Sequence, residues 1–358
     1  MKRRTLAGII GVLLSLIFVL QEVGAAGGGD TRIVFLSNRD RLDRPGREFD
    51  VFLLDLVSSK SENLTLQLKA VVVRSNSQPR LITRRNSVVF LSFNEGAFVE
   101  LNLGTKQVTK ITDVAYEATS YTVSPDGNSL LFIERIDSTR QVFEVDLASG
   151  VSRNVTKNRY NNFEASYSPD GKRIVYVCDK DGSNSIAVMN RDGSEQTILT
   201  NRFGDDRYPH WCPDGKKIVF SSSRSGTTDA EYHLYTIDAN GKNFKLFYQS
   251  KAYNSSPVFS PDNKYVAFVS NGRGGMHKDI ILKELASGLV KPITFELNDA
   301  NEKFAIGDGG KVIVFENSGP IDSEIMLYDV RLKKMKNLTS GKGRDLAPSL
   351  GEGHQVSQ

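Results

Sequence analysis

The residues of this sequence that could do chemistry are charged side chains in short segments between apolar runs. The densest segment spans residues 39–47, where nine residues hold four arginines. A guanidinium can bind a carboxylate through two parallel hydrogen bonds, so we expect a partner to bind at such segments. The alternative is that each side chain belongs to a solvated loop. The residues assigned to partner binding are Arg39, Arg41, Arg44, Arg47, Arg135, Lys180, Asp205, Asp206, Arg207, Arg224 and Arg273.

A recurring tetrapeptide indicates the elements that position these segments. Ser124-Pro125-Asp126-Gly127 returns at residues 168–171, as Cys-Pro-Asp-Gly at 212–215 and as Ser-Pro-Asp-Asn at 260–263. Proline presets φ, aspartate accepts a backbone N–H and glycine adopts the left-handed conformation, so each copy predicts a tight hairpin. The prolines are 44, 44 and 48 residues apart. That period is typical of a unit of four short strands.

Three kinds of strand repeat with the same period. Seven β-branched runs, beginning near residues 33, 88, 130, 174, 218, 266 and 312, predict buried second strands. A Leu-Thr or similar pair ends six fourth strands, and Phe247-Tyr248 takes that place in the fifth repeat. We therefore predict an all-β fold, a seven-bladed β-propeller of four-stranded antiparallel sheets, with six blades as the alternative. The predicted third strands are Asp50–Leu56, Ala97–Leu103, Gln141–Leu147, Ser185–Asn190, His233–Asp238, Asp279–Leu285 and Glu324–Val330.

The two ends of the repeat array complement each other. The first repeat has no strand ahead of Ile33, whereas Asp345–Leu350 reads as a first strand with only a polar tail behind it. We predict that this last strand completes the first sheet and closes the ring, which leaves no open first or last blade.

The first 26 residues are organised like an export signal. Three basic residues precede an apolar run of 15 residues from Leu6 to Leu20, and Gly24-Ala25-Ala26 supplies small side chains for cleavage. The run is shorter than the roughly 20 residues that span a bilayer, so an uncleaved anchor is the alternative. The predicted organisation is a signal at 1–26, a propeller at 27–350 and a polar tail at 351–358. We expect a periplasmic or secreted protein with no stable membrane span after signal removal.

The pattern of strand, Ser-Pro-Asp-Gly and strand resembles the repeats of the TolB-like β-propeller family. The clearest stretch is Tyr208–Ile237, Ser168–Asn190 is nearly as close, and the resemblance covers residues 116–294 well. It implies a protein-binding scaffold in the cell envelope, with an envelope protein or a Pal-like lipoprotein as partner. The sequence departs from TolB in two respects, since its first repeat follows the signal without TolB's N-terminal domain and arm, and it shows seven repeats where TolB has six blades.

Other function classes receive less support. The net charge of +4 falls to +2 without the signal, too little for a general nucleic-acid binder. The four histidines are scattered, although His210 falls in a predicted innermost strand, where a metal-dependent lyase or lactonase would hold its ion. No G-x-S-x-G motif occurs. We expect a monomeric binding protein with no catalytic residue, cofactor or metal. The alternatives are a channel-metal enzyme and a glycan-binding module.

The sulfur and indole side chains are predicted to be structural. The only cysteines, Cys178 and Cys212, fall at opposite ends of their strands, so we expect two buried free thiols. Trp211, the only tryptophan, lies beside Pro209 in a predicted innermost strand. A large aromatic side chain in that position is more typical of packing between blades than of a ligand platform.

Overall fold

The apolar runs form strands because β-branched and aromatic side chains pack well on a pleated surface. The computed structural model describes residues 31–41, 48–68, 73–74, 77–114, 120–200, 204–224, 231–274, 277–295, 297, 300–319, 322–341, 343–351 and 355–356. The strands in these ranges are β1 (Arg32–Ser37), β2 (Glu48–Asp55), β3 (Lys60–Asn63), β4 (Val73–Arg74), β5 (Arg80–Ile82), β6 (Ser87–Ser92), β7 (Ala97–Asn102), β8 (Val108–Asp113), β9 (Tyr121–Val123), β10 (Ser129–Ile136), β11 (Thr139–Asp146), β12 (Ser152–Asn154), β13 (Asn162–Tyr167), β14 (Arg173–Cys178), β15 (Ser185–Asn190), β16 (Thr197–Ile198), β17 (Asp206–Trp211), β18 (Lys217–Ser222), β19 (His233–Asp238), β20 (Lys245–Tyr248), β21 (Asn254–Phe259), β22 (Tyr265–Ser270), β23 (Asp279–Glu284), β24 (Val290–Pro292), β25 (Ala300–Gly307), β26 (Val312–Ser318), β27 (Ser323–Asp329), β28 (Lys334–Asn337), β29 (Asp345–Leu350) and β30 (Gln355–Val356).

The described strands form seven antiparallel sheets in a ring, which confirms the seven-bladed propeller. Blade 1 has the order β29-β1-β2-β3, with β4 also paired to β2. Blades 2 to 6 are β5–β8, β9–β12, β13–β16, β17–β20 and β21–β24, each in sequence order. Blade 7 comprises β25–β28 and a fifth strand, β30. The first strand of each blade is innermost.

The last long strand closes the ring as the sequence predicts. β29 pairs antiparallel with β1, so that Leu350 lies opposite Ile33 and Asp345 opposite Ser37. All six residues of β29 are buried. The first blade therefore draws strands from both ends of the repeat array.

The Ser-Pro-Asp-Gly hairpins join first to second strands at one end of the ring, which we call the turn face. In blade 4, Ser168 Oγ donates to Asp170 Oδ1 at 2.6 Å and accepts the backbone N–H of Arg173 at 2.9 Å. Gly171 adopts φ +69°, where a side chain would be strained. The hydrogen bond from Ser168 lowers the pKa of Asp170 below its ordinary value. Serine and aspartate thus fix the turn, while glycine permits it.

A threonine two residues after most fourth strands ties the end of that strand to the third strand of its blade. Thr156 Oγ1 accepts the backbone N–H of Val142 at 3.1 Å and donates to Gln141 Oε1 at 2.8 Å. Thr294 makes the same two bonds to Ile280 and Asp279, at 2.9 and 3.2 Å. The threonine of the Leu-Thr signature therefore makes two buried hydrogen bonds that fix the end of the fourth strand to the third strand. We call this pair of hydrogen bonds the threonine lock.

The hydrophobic core is divided into layers between neighbouring blades. One layer packs Val175 and Val177 of blade 4 against Trp211 and Phe220 of blade 5. Trp211 is 3% exposed, as expected of a core side chain, and both cysteines are free and buried. Among the residues described, no helix is long and apolar enough to cross a membrane.

Four of the innermost strands contain a β-bulge at a residue other than glycine. Glu164, Tyr208, Ser256 and Ala347 have φ values of +51°, +54°, +50° and +52°, and the strand register shifts at each of them. A left-handed conformation at such residues costs of order 1–3 kcal/mol. The surrounding ring must therefore impose it. A bulge of this kind bends the strand that contains it.

Candidate functional site

The end of the ring opposite the turn face is formed by loops that enter first strands and join second to third strands. We call this end the loop face. It carries the predicted partner-binding residues that the structure describes. Their side chains divide into three groups, which are arginines bound to buried aspartates, a polar cluster beside the channel, and an exposed basic patch.

Three of the predicted arginines bind aspartates of their own blades. Arg224 Nη2 lies 2.6 Å from Asp206 Oδ2, and the Asp206 side chain is fully buried. Burial raises the pKa of Asp206 above its ordinary value, although Arg224 donates a hydrogen bond to it. Arg39 contacts Asp345 in blade 1 at 2.6 Å in the same way. The guanidinium offsets the cost of burying each carboxylate.

The third pair of arginine and aspartate lies in blade 6 and is bidentate. Arg273 Nε and Nη2 donate to the two carboxylate oxygens of Asp279 at 2.6 and 2.8 Å. Its Nη1 also donates to the carbonyl oxygen of Phe295 at 2.9 Å. These arginines hold their loops against the sheet. Contact of Arg39, Arg224 and Arg273 with a partner stays a prediction. In the structure, these arginines bind aspartates of their own blades.

Asp205 and Arg207 belong to a polar cluster between blades 4 and 5. Tyr232 Oη donates to Asp205 Oδ2 at 2.5 Å, Arg207 Nε donates to the same atom at 2.8 Å, and Asn184 donates to Oδ1. Burial alone would raise the pKa of Asp205, but hydrogen bonds from Tyr232, Arg207 and Asn184 lower it below its ordinary value. Asp205 is therefore a fixed anion that holds Arg207 in place.

Sequence reasoning missed Glu164, which lies beside this cluster on innermost strand β13. Its Oε2 accepts the backbone N–H of Tyr208, the bulge residue of the next blade, at 2.6 Å. Burial raises the pKa of Glu164 to about 7, against the opposing effects of that hydrogen bond and the charge of Arg207. A carboxyl group that titrates near neutral pH is a candidate acid or base. No sequence motif near Glu164 marks this residue, because the groups that set its pKa include residues of blade 5.

The exposed basic patch lies where blades 3 and 4 meet. It consists of Arg135 and Arg140 on the β10–β11 hairpin and of Arg159 and Lys180, which lie beside the half-buried ring of Tyr160. The Arg159 guanidinium carbon lies 5.5 Å from the ring centroid, and Lys180 Nζ lies 5.9 Å from it.

Two hydrogen bonds hold the two blades together at the patch. The backbone N–H of Arg140 donates to Asn161 Oδ1 at 2.9 Å, and Gln141 Nε2 donates to the carbonyl oxygen of Tyr160 at 2.8 Å. Arg135 lies directly opposite Arg140 across β10 and β11. The patch therefore has a fixed backbone beneath exposed cations.

The remaining predicted residues are not all described. Arg41 is the last residue of a short 3-10 helix, Arg39–Arg41, and its side chain is not described. Arg44 and Arg47 lie outside the described residues. The export signal lies outside them too. His210 is buried, and its Nδ1 accepts the backbone N–H of Phe259 at 3.4 Å. Within the described ranges, no three His, Cys, Asp or Glu side chains are grouped to hold a metal ion.

This ring of four-stranded blades, closed by a C-terminal strand and joined by Ser-Pro-Asp-Gly hairpins, defines a repeat propeller. The family model described as the TolB beta propeller domain matches residues 23–202, 141–232 and 207–355. The chain therefore belongs to the TolB β-propeller family.

Comparisons with individual proteins agree on the fold. The Tol-Pal system protein TolB of Francisella tularensis is 28% identical over 74% of this chain and 61% of its own length. TolB from Acinetobacter baumannii superposes with a TM-score of 0.55 at 17% identity, over 85% of this chain and 79% of that one. Oligogalacturonate lyase from Vibrio parahaemolyticus superposes with a TM-score of 0.65 at 14% identity, over 84% and 86%. The chain spans 20–61% of the length of four curated relatives.

Proposed function

We propose that this protein is a non-enzymatic scaffold that captures an acidic segment of an envelope protein on its basic patch. The observation that carries the proposal is the pair of arginines at the tip of the β10–β11 hairpin. Arg135 and Arg140 are exposed and directly opposite each other. Two guanidinium groups on directly opposite residues repel each other and concentrate positive charge at the tip of the hairpin. An acidic ligand bound between the two strands would relieve the repulsion.

The surroundings of the pair also suit an anionic ligand. The strands β10 and β11 have eight residues each, against six in β14, β18 and β22, so the hairpin projects from the loop face. Tyr160 offers an aromatic surface, and Arg159 and Lys180 lie over its ring. Arginine and tyrosine are enriched where binding energy is concentrated in protein interfaces.

The cellular setting is proposed from the family. The Francisella relative is named a Tol-Pal system protein, and the first 26 residues have the pattern of an export signal. We place the protein in the periplasm or outside the cell, with an envelope protein or a Pal-like lipoprotein as partner. The sequence-based assignment of Arg41, Arg44 and Arg47 to the same partner remains part of the proposal.

The test is capture of partners from envelope extracts by residues 27–358, read by mass spectrometry with and without EDTA. The variant carries Arg135→Glu, Arg140→Glu and Lys180→Glu. The matched control carries the same change of charge at Lys172, Lys216 and Lys242 on the turn face, all exposed. A partner lost by the first variant, retained by the control and insensitive to EDTA supports the proposal. Equal capture by both variants refutes the patch, and a requirement for metal would point to the channel instead.

A second candidate is an enzyme of the lyase type, favoured by Glu164. A carboxyl group with a pKa of about 7 beside Arg207 is suited to remove a proton next to a substrate carboxylate, whose charge the arginine would neutralise. The test is incubation with oligogalacturonate, followed by ultraviolet absorbance of the unsaturated product. We expect no product. Turnover that Glu164→Gln abolishes, with folding intact, would replace the scaffold proposal.

A further inference from the structure

Blade 7 has a fifth strand on its channel side. β30 pairs antiparallel with the innermost strand β25, so that Val356 lies opposite Ala305 and Gln355 opposite Ile306. β30 also contacts β21, the innermost strand of blade 6. Since the other edge of β25 is occupied by β26, the added strand lies in the central channel.

The direction of β30 shows which end of the channel it enters. β25 runs from the loop face to the turn face, where residues 308–311 turn the chain into β26. β30 runs the opposite way, and β29 ends at Leu350 on the turn face. The chain therefore leaves blade 1 at the turn face and comes back into the channel from that side. This location is remote from the basic patch.

Four other blades have a proline at the inner edge, and proline has no N–H to donate to an added strand. In blades 2, 5 and 6 the proline lies three residues before the residue that begins the hairpin to the second strand, and in blade 1 it lies within β29. In blade 7 the equivalent residue is Phe304, three residues before Gly307. The other prolines are Pro79, Pro209, Pro257 and Pro348.

β25 is also the longest of the innermost strands, with eight residues against three in β9. Phe304, Ala305 and Ile306 are 1%, 0% and 1% exposed, whereas residues 301–303 of the same strand are Asn, Glu and Lys. A long edge without proline is the kind that extended peptides join by main-chain hydrogen bonds.

We propose that the edge at Ala305–Ile306 is a strand-addition site for an extended, proline-free peptide segment of a protein partner, and that β30 occupies it until displaced. The cis strand pairs through only two residues, so it contributes few hydrogen bonds. Its advantage is the effective concentration of a tethered segment, which is in the millimolar range for short linkers. A partner segment that pairs with more of β25 would replace it.

The test uses a fluorescent synthetic peptide with the sequence of residues 351–358 and three forms of the protein. These are residues 27–358, the same chain with Gln355→Pro and Val356→Pro, and a chain ending at Gly351. We expect the proline variant and the shortened chain to bind the peptide at least about tenfold more tightly than the intact chain, because the cis competitor is removed. A peptide N-methylated at the two pairing residues serves as the control and should not bind.

Hydrogen exchange gives a second readout at the site itself. Adjacent residues of a strand direct their N–H groups to opposite neighbours, so of residues 305 and 306 only the amide that faces β30 should exchange faster in the proline variant, with protection restored by the peptide. The amide that faces β26 is the internal control. Equal binding by all three forms, or binding of the N-methylated peptide, would overturn the proposal. So would failure of the folded proline variant to bind. A thermal melt of each form confirms that it is folded.

Discussion

Replacement of Glu164 by glutamine tests the electrostatics of the channel wall. Glutamine keeps the shape of the side chain and an oxygen for the Tyr208 N–H but cannot ionise. The folded protein raises the pKa of Glu164 from 4.5 to about 7 because of burial. The raised pKa means that the folded state binds the proton more tightly than the unfolded state. The stabilisation is therefore fully present below pH 4.5 and is lost as the pH rises through 7.

The size of the effect follows from the shift. A difference of about 2.5 pH units at about 1.36 kcal/mol per unit gives about 3 kcal/mol. The Glu164→Gln variant should match the parent protein near pH 4.5 and exceed its free energy of unfolding by up to about 3 kcal/mol above pH 8. Urea denaturation at a series of pH values measures this difference, with an unchanged dependence on urea as the check on the denatured state.

Asp170, in the Ser168 hairpin, is a control whose contribution to stability should change with pH in the opposite direction. The hydrogen bond from Ser168 lowers the pKa of Asp170, so that carboxylate stabilises the fold above its ordinary pKa and loses its effect as the pH falls through the lowered value. Asp170→Asn should therefore be destabilising at neutral pH and nearly neutral in strong acid. A stability difference for Glu164→Gln that stays constant from pH 5 to about 9 would refute the reasoning about its environment.

Three further changes probe the scaffold. Arg224→Met should lower the free energy of unfolding by about 3–5 kcal/mol in denaturant melts, because it leaves the buried Asp206 unpaired. Adding Asp206→Asn should recover much of that loss, and additive losses from the two substitutions would contradict the pairing. Thr156→Val should cost about 1–3 kcal/mol by orphaning two buried groups, whereas the exposed Thr197→Val should cost little, and equal effects would rule out the lock. Deletion of Asp345–Leu350 should lower the melting temperature severely, and an unaltered melt would disprove ring closure.

The blades were predictable because their determinants are local. Hairpin residues Ser168 and Asp170 bond to each other and to the next few backbone groups, so their pattern survives in sequence. The third strands predicted as Ser185–Asn190 and His233–Asp238 are observed with the same bounds, and the other five differ by one or two residues at one or both ends. The threonine lock spans 14 residues within one blade, which also makes it a recurring signature.

The candidate site was less predictable because its contacts are set by the ring. Arg39 and Asp345 meet although 306 residues separate them, so the sequence shows a loop arginine without its partner. Glu164 owes its raised pKa to an environment shared with blade 5. The strand at Gln355–Val356 has too few residues for a pattern, and it forms because a ready edge is nearby.

Closure of blade 1 by β29 imposes an order on folding. β1 cannot gain its inner neighbour until the chain has been made as far as β29, and contacts between such distant residues slow folding. A chain that crosses a membrane from its amino end would therefore present an open, apolar strand edge for most of its passage. During that interval the unpaired edge of the first blade can join other chains, and a chaperone that covers it would prevent aggregation.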